Sequence, residues 1–298
     1  MNLFESLFRY AYQFMDSFTY LVLAALGLAI VFGMMGIINQ AHGEFIMIGA
    51  YVFSFCTSKG VAFIFAAIIA VAAVSLFGYF VDRLFMRKLY SRPIDSIVVT
   101  FGLSLVLSQG FRMMFGPTIA SPTLPLGSFS LGIGTYSVYR IVLMGISVLL
   151  LAAFYILFNY TKFGLHSRAT MQKPEIAKAM GINTNFAYSA TFIIGSALAG
   201  MCGVLYAPLL YVTPEIGQSF ITQAFTTVVV GGANPLLGTL LSGTVLGVVN
   251  GVLSLKMGPF IGKVGLLVVA ILCIRIMPTG ISGMVEKISM RRKVDAKK

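Results

Sequence analysis

Four hydrogen-bonding side chains stand close together in an otherwise apolar part of the sequence: Asn39, Gln40, His42 and Glu44. Amides, an imidazole and a carboxylate are suited to binding a polar solute or the free backbone groups at a helix end. An acid–base pair is not expected, because His42 and Glu44 are two residues apart and do not share a helix face. The pattern therefore favours binding over catalysis. For His42, a structural hydrogen bond and a contact with solute both stay open.

No second group of residues suggests catalysis or a metal site. The other histidine, His166, is far along the chain, and the three cysteines lie in separate apolar runs: Cys56, Cys202 and Cys273. A nucleotide-binding P-loop needs Gly-x-x-x-x-Gly-Lys-Ser/Thr. The segment 258–264 comes nearest to it, but its spacing is wrong and it lacks the hydroxyl. We predict no catalytic residue, no metal ligand and no cofactor in this chain, and hence no enzyme.

The composition places these side chains in a membrane protein. Of the 298 residues, 58% are hydrophobic and 10% are charged, whereas an average soluble domain has about 45–50% and about 25%. So few polar residues cannot cover the surface of a soluble fold. A membrane helix takes about 20 residues, which leaves room for eight or nine spans and no soluble domain. We predict a single membrane-embedded domain over residues 1–298.

The elements that must position the polar side chains are apolar runs of helical length. They lie at 17–36, 45–57, 61–81, 95–114, 137–158, 187–206, 221–233, 236–254 and 262–277. The runs are continuous and do not alternate with a period of two, which argues against a β-barrel. We predict an all-α, polytopic transmembrane bundle of about 8–9 helices. The segment 116–136, rich in Pro, Gly and Ser, is predicted to be a loop.

Two short apolar runs adjoin breaks that are rich in glycine and amides, at 39–44 and 231–235. A broken helix at membrane depth is buried in protein or lines a cavity, and a break in each half of a chain indicates a transport site. We therefore expect broken or half-length helices near a pore. The candidate residues of the translocation path are Asn39, Gln40, His42, Glu44, Thr226, Thr227 and Asn234.

Glycine has two expected uses in this sequence. At the first break, Gly43 is expected to permit the bend, and Glu44 to be held by the N-terminal amides of the helix that it opens. Within the apolar runs, glycines recur at spacings of about four, as at Gly195, Gly200 and Gly203. Such spacing favours closely packed helix faces over hinges.

Positive charge marks the side of the membrane. The net charge is +12, and most basic residues fall in three clusters, at 83–92, 162–178 and 287–298. Segregated clusters between apolar runs follow the positive-inside rule, so nucleic-acid binding is not expected. All three clusters are predicted to lie in the cytoplasm, together with a basic tail at 284–298. A short N-terminal segment, 1–16, is predicted on the opposite side.

The loop at 159–186 contains a pattern for a short helix. Pro174 suits the first turn of a helix, and Glu175 complements its dipole. We predict a helix at Pro174–Met180 that ends at Gly181, with Asn183 capping the next span. The loop is either a connector or a docking element for a soluble partner.

Four ordered segments together resemble a known family. The loop pattern Glu175-x-Ala177-x-x-x-Gly181-Ile182-Asn183 is similar to the coupling loop of bacterial ATP-binding-cassette (ABC) importers. The segments Gly33–Tyr51, Val228–Gly243 and Met277–Gly283 resemble signatures of the branched-chain amino acid permease family. The resemblance covers residues 20 to 285.

This resemblance implies a permease subunit of an ABC importer in the bacterial inner membrane. Its implied partners are two ATPase subunits that bind ATP and Mg, a second homologous permease that forms a heterodimer, an extracytoplasmic solute-binding protein, and membrane lipid. The residues implied to couple the chain to the ATPase are Pro174, Glu175, Ala177, Lys178 and Gly181.

The substrate is the most specific of these predictions. The segment Val212–Gly232 resembles the urea and amide branch of the family, whereas Met277–Gly283 leans to the amino acid branch. We favour import of urea or short-chain amides, with branched-chain amino acids as the alternative. A channel or an ion-coupled carrier is the alternative of another class, although such carriers usually place charged residues in the middle of their spans.

Overall fold

A computed structural model describes residues 3–90, 92–123, 126–132, 134–232, 234–285 and 287. Within these ranges the chain forms eleven α-helices and one antiparallel hairpin. The helices are α1 (Leu3–Met35), α2 (His42–Ser58), α3 (Phe63–Leu84), α4 (Pro93–Phe115), α5 (Val138–Tyr160), α6 (Lys162–Gln172), α7 (Pro174–Ala179), α8 (Thr184–Tyr206), α9 (Ile216–Gly231), α10 (Pro235–Met257) and α11 (Pro259–Ile276). The hairpin pairs β1 (Ser128–Leu131) with β2 (Gly134–Ser137).

Seven helices in the described part of the chain are long and apolar enough to cross a membrane: α1, α3, α4, α5, α8, α10 and α11. The two that adjoin the breaks are shorter, with 17 residues in α2 and 16 in α9. The predicted all-α, polytopic bundle with broken and half-length helices is therefore confirmed. The hairpin departs from the prediction, since the segment at 116–136 was predicted to be a loop throughout.

Local chemistry sets several helix starts. The side chains of Thr161, Asn183 and Asn234 each accept a hydrogen bond from the backbone N–H three residues further on, at 3.0–3.2 Å. These bonds satisfy donors that a helix leaves free in its first turn. Proline occupies the first turn of α4, α7, α10 and α11, where its missing N–H costs nothing. The predicted cap at Asn183 is confirmed.

The chain divides into two compact units. The terminal unit comprises the described residues of Met1–Ala25, Pro125–Leu150 and Ala224–Lys298, and the central unit those of Leu26–Leu124 and Leu151–Gln223. The chain passes from one unit to the other within α1, between α4 and β1, and within α5 and α9. Each of the predicted breaks begins in a different unit, 39–44 in the central one and 231–235 in the terminal one.

In the central unit, glycines allow α2, α3 and α8 to pack closely. A Cβ added to Gly49 of α2 would lie 2.5 Å from the Gly200 carbonyl oxygen of α8, and one added to Gly203 would collide with the carbonyl of Ile46. Near the start of α2, a Cβ on Gly195 would lie 2.9 Å from the Gly27 carbonyl oxygen of α1. Small residues of this kind allow membrane helices to approach. The prediction that these glycines serve packing is confirmed.

The terminal unit has its own core and its own close contacts. Its buried cluster contains Leu21, Val230, Leu246, Leu266 and Ala270. On α10, glycines again leave room for bulky side chains, with Gly243 and Gly247 lying against Phe18 of α1. An ion pair between Asp16 and Arg140 joins α1 to α5.

Candidate translocation site and coupling segment

The predicted break separates α1 from α2. Residues 36–41 are not helical, and Gly36 has a φ of +64°, a backbone conformation that side chains disfavour. The bend is therefore made by Gly36, and the prediction that Gly43 makes it was wrong. Gly43 lies inside the first turn of α2. It allows α9 to pack closely there, because a Cβ on Gly43 would collide with the carbonyl of Gly217.

Asn39 and Gln40 organise the start of α2. The Asn39 side-chain oxygen accepts a hydrogen bond from the Ala41 N–H at 3.0 Å, and its carbonyl accepts one from the His42 N–H at 3.3 Å. The Gln40 N–H donates to the Thr100 hydroxyl of α4 at 3.0 Å. Asn39 therefore holds backbone groups at the helix end, one of the two uses expected for it.

Glu44 is buried with only one of its carboxylate oxygens engaged. The residue is 1% exposed, and its Oε1 accepts a hydrogen bond from the Ser104 hydroxyl of α4 at 2.8 Å. Its Oε2 has no hydrogen-bond partner among the residues that the structure describes. The prediction that amides of its own helix hold this carboxylate was wrong, because the side chain crosses to α4.

The first turns of α2 and α9 meet beside this carboxylate. A Cβ on Gly217 would lie 2.7 Å from the Gly43 carbonyl oxygen and 3.0 Å from Glu44 Oε2. A helix N-terminus carries a partial positive charge and free N–H groups, both of which favour anions. Two such ends therefore converge near Glu44, an arrangement that transporters with broken helices use to bind charged solutes.

A row of hydroxyls on α4 faces the break. The buried residues of this helix recur at every fourth position: Ser96, Thr100, Ser104 and Ser108. Thr100 contacts Gln40 and Ser104 contacts Glu44, so this face of α4 supplies polar groups along α2. Sequence reasoning missed these hydroxyls, although their four-residue spacing was visible as one stripe of an otherwise apolar helix.

His42 is packed against α1. It is buried, and its Cε1 atom lies 2.9 Å from where a Cβ on Gly27 would be. Glycine at position 27 therefore leaves room for the imidazole. This packing favours a structural contribution from His42 over a solute contact.

The other candidate path residues lie in the terminal unit. Thr226 and Thr227 are on α9, where Thr227 is fully buried. Asn234 caps α10, and its N–H donates to the Ser282 hydroxyl at 3.4 Å. Of the seven candidates, Asn39, Gln40, His42 and Glu44 thus come together in one unit, and the remaining three belong to the other.

The predicted coupling segment, Pro174–Gly181, has the form expected from its sequence. The helix α7 starts at Pro174, and Gly181 follows with a φ of +83°. Ala177 faces inward, whereas Glu175 and Lys178 are exposed. Two large apolar side chains are exposed as well, Ile176 at 52% and Met180 at 76%. The segment therefore presents a mixed apolar and charged surface suited to a partner protein.

A second helix in the loop was not foreseen. The helix α6 occupies Lys162–Gln172, directly after the Thr161 cap. A Cβ on Gly164 would collide with the carbonyl of Phe158, so a glycine is required where α6 turns back on α5. The predicted basic tail at 284–298 falls outside the described residues except for 284, 285 and 287.

Comparison with known families explains this combination of broken helices and a coupling segment. The family model described as "Branched-chain amino acid transport system / permease component" matches residues 10–277. The chain belongs to this family. It is thus the permease subunit of an ABC importer, a multi-pass inner-membrane protein and not an enzyme, since ATP hydrolysis resides in a separate subunit. The channel and the ion-coupled carrier are thereby set aside.

Several curated relatives match this permease over most of its length. The high-affinity branched-chain amino acid transport system permease protein LivH of Escherichia coli K12 is 29% identical, covering 89% of this chain and 91% of that protein. LivH of Salmonella typhimurium is 30% identical with the same coverage. BraD of Pseudomonas aeruginosa, named for the same kind of transport, is 28% identical over 89% of this chain and 92% of that protein. No solved structure gives a significant match.

Proposed function

We propose that this permease forms the membrane path for branched-chain amino acids. The observation that carries the proposal is the Glu44 carboxylate, which is buried at the junction of α2 and α9 with its Oε2 unengaged. An isolated buried carboxylate is costly, and intramembrane ionisable residues usually mark a solute pathway. The names of the relatives, LivH and BraD, support the same class of solute.

The junction has complementary groups for both charges of an amino acid. Its ammonium group is matched by Glu44, with Ser104 orienting the carboxylate through Oε1. Its carboxylate is matched by the partial positive charge at the starts of α2 and α9. The side chain then passes apolar residues of α2 such as Ile48, one turn after Glu44. The path residues that we assign in the central unit are Gln40, Glu44 and Ser104, while Asn39 and His42 support the start of α2. Thr226, Thr227 and Asn234 stay predicted path residues of the terminal unit.

Urea or a short-chain amide remains the second candidate. Two observations favour it: the Pro214-Glu215-x-Gly217-Gln218 run that resembles the urea and amide branch, and the row of hydroxyls on α4. Hydroxyls suit a small neutral solute that both donates and accepts hydrogen bonds. Such a solute has no need of a carboxylate, so Glu44 discriminates between the two candidates.

The family and the exposed surface of α7 support a set of partners. In this proposal α7 seats in a cleft of the ATPase subunit, with Ile176 and Met180 buried there and Glu175 and Lys178 at the rim. Two ATPase subunits, a second permease subunit and an extracytoplasmic binding protein complete the importer. The C-terminus is cytoplasmic, on the side of the basic clusters.

The test uses the assembled importer in proteoliposomes with its binding protein and ATP inside. Uptake of labelled leucine, isoleucine, valine, urea and acetamide is measured for wild type and for Glu44→Gln, which keeps the size and removes the charge. We expect ATP-dependent uptake of the three amino acids. Glu44→Gln should lower it by about 10- to 100-fold, the equivalent of losing one hydrogen bond to a charged group at about 1.5–3 kcal/mol.

Two results of the solute screen would contradict the proposal. Uptake of urea or acetamide, with none of the amino acids, would establish the second candidate. Amino acid uptake that Glu44→Gln leaves unchanged would remove Glu44 from the path. Ser58→Ala, at the exposed end of α2, is the matched control and should transport as wild type.

A further inference from the structure

A second buried carboxylate lies at the end of α3 and contacts α8, the helix that follows the predicted coupling segment. Asp82 is 0% exposed, and its Oδ2 accepts a hydrogen bond from the Ser189 hydroxyl of α8 at 2.6 Å. The Arg87 Nε lies 3.4 Å from the same oxygen, and the Tyr90 hydroxyl donates to Oδ1. Both carboxylate oxygens are therefore engaged. We call Asp82, Arg87, Tyr90 and Ser189 the Asp82 cluster.

Ser189 is the centre of this cluster on the α8 side. Its hydroxyl oxygen also accepts from Arg87, at 3.2 Å from Nε and 3.1 Å from a terminal nitrogen. The ring of Tyr90 packs against that of the neighbouring Tyr188, with centroids 4.9 Å apart. Burial raises the pKa of the Tyr90 hydroxyl, and the Asp82 carboxylate acts in the same direction, so the phenol stays a donor at neutral pH. The end of α3 is thus bonded to the first turns of α8.

The position of Ser189 in the chain links the Asp82 cluster to the predicted coupling segment. Ser189 lies six residues after Asn183, which caps α8 and closes the coupling segment. A displacement of α7 therefore enters α8 just before the point where α8 is bonded to α3.

Beyond the cluster, α3 and α8 stay in close contact. A Cβ on Gly78 of α3 would lie 2.6 Å from the Cβ of Ser196 of α8, and one on Gly200 would lie 2.9 Å from the Cβ of Val74. Such close contacts hold the two helices side by side, while the Asp82 cluster fixes their register at one end. The pair is therefore expected to move as one body when its end is held.

The same pair of helices contacts α2 beside the candidate site. The ring of Phe45, the residue after Glu44, lies 5.5 Å from that of Phe77 on α3 and 6.0 Å from that of Phe192 on α8. Phe45 is completely buried. A movement of the α3–α8 pair is thus delivered to the first turn of α2.

We propose that Asp82 is a positioning residue for transport: its cluster bonds α3 to the start of α8, so that movement of the coupling segment reaches α2 at Glu44. This rests on the proposed function only in that α7 receives the movement of an ATPase. Without the cluster, α8 shifts while α3 stays, and ATP is hydrolysed without opening the site. The role is conformational, and Asp82 touches no solute.

The test measures uptake and ATP hydrolysis on the same proteoliposomes, with whichever solute the wild-type importer carries. Asp82→Asn and Ser189→Ala are compared with wild type. We expect the number of solute molecules taken up per ATP to fall about tenfold, a coupling change within the usual range for residues between two sites. The ATPase rate should stay within about twofold of wild type. If the importer does not transport leucine, the proposed function is contradicted. The ratio of solute to ATP can still be measured with the solute that the importer does carry.

Further variants separate positioning from folding. Ser189→Ala removes one hydroxyl and should assemble even where Asp82→Asn does not. Arg87→Lys keeps the charge beside Asp82 and should restore much of the ratio lost in Arg87→Ala. The double variant Asp82→Asn/Ser189→Ala should lower the ratio by less than the two single effects combined, because both residues belong to one hydrogen-bond network. Parallel loss of uptake and ATPase activity, or an unchanged ratio in both single variants, would overturn the proposal.

Discussion

The two buried carboxylates of the central unit have opposite surroundings. Asp82 engages both of its oxygens, with donors from Ser189, Tyr90 and the guanidinium of Arg87. Glu44 receives one hydrogen bond, from Ser104, and keeps one oxygen unengaged. Both residues are almost completely buried, at 0% and 1% exposure. A buried charge that is fully bonded holds a structure together, whereas one that is half bonded is open to a ligand.

The location of each carboxylate agrees with this difference in hydrogen bonding. Asp82 lies where α3 meets α8 beside the coupling segment, where the two helices must be held together. Glu44 lies where the first turns of α2 and α9 converge, in front of the hydroxyls of α4. In our proposals the first carboxylate transmits a movement and the second contacts the solute. Each can be tested without disturbing the other, because they belong to different turns of different helices.

The largest effect is expected from filling the contact beside Glu44. Gly217→Ala places a Cβ 2.7 Å from the Gly43 carbonyl oxygen, so α2 and α9 must separate. We expect a loss of about 1–3 kcal/mol in the free energy of unfolding, the usual cost of overpacking, together with loss of uptake. Thermal unfolding in detergent and uptake in proteoliposomes measure the two effects.

The control for that substitution is Gly102→Ala on α4. A Cβ at Gly102 meets no atom within 4 Å, and alanine is a better helix former than glycine by about 0.8–1 kcal/mol. Gly102→Ala should therefore match or exceed wild type in stability. Equal stability of Gly217→Ala and Gly102→Ala would show that α2 and α9 do not depend on the glycine contact.

The next largest effect is the difference in stability between Asp82→Asn and Glu44→Gln. Asp82→Asn removes the charge that Arg87 faces and weakens three hydrogen bonds, so we expect a loss of about 1–3 kcal/mol. Arg87 is partly exposed, which keeps the cost below that of an unpaired buried charge. Glu44→Gln should change stability by less than about 1 kcal/mol, because only one hydrogen bond is altered. Denaturation midpoints of the two purified variants measure this difference. A larger loss of stability in Glu44→Gln than in Asp82→Asn would contradict the roles assigned to the two carboxylates.

The smallest effect is expected from the hydroxyl that orients Glu44. Ser104→Ala leaves the carboxylate with no partner from α4, and we expect uptake to fall by about 3- to 10-fold, the equivalent of a hydrogen bond worth about 1 kcal/mol. Ser108 is the matched control, since it is on the same face of α4 and its one hydrogen bond among the described residues goes to the Leu105 carbonyl of its own helix at 3.4 Å. Ser108→Ala should transport as wild type. A loss of equal size at both positions would mean that the hydroxyl row, and not the contact with Glu44, matters.

Local pattern accounts for most of the helices and for the outline of the site. The nine apolar runs correspond to α1–α5 and α8–α11, because lipid requires continuous apolar segments whose backbone bonds are satisfied internally. The helix at Pro174 and its end at Gly181 followed from turn chemistry. The hairpin β1–β2 and the helix α6 were missed, since short polar segments carry a weak periodic signal.

The sequence by itself determined that this chain lies in the membrane, where its helices break, and where the short helix at Pro174 lies. All of these depend on residues that are neighbours along the chain. Only the tertiary structure decided that Ser104 bonds Glu44 across 60 residues, that Ser189 bonds Asp82 across 107, and that Gly43 meets Gly217. Which helix face meets which depends on packing among all the helices, and the partner of a buried polar group is known only when that packing is known.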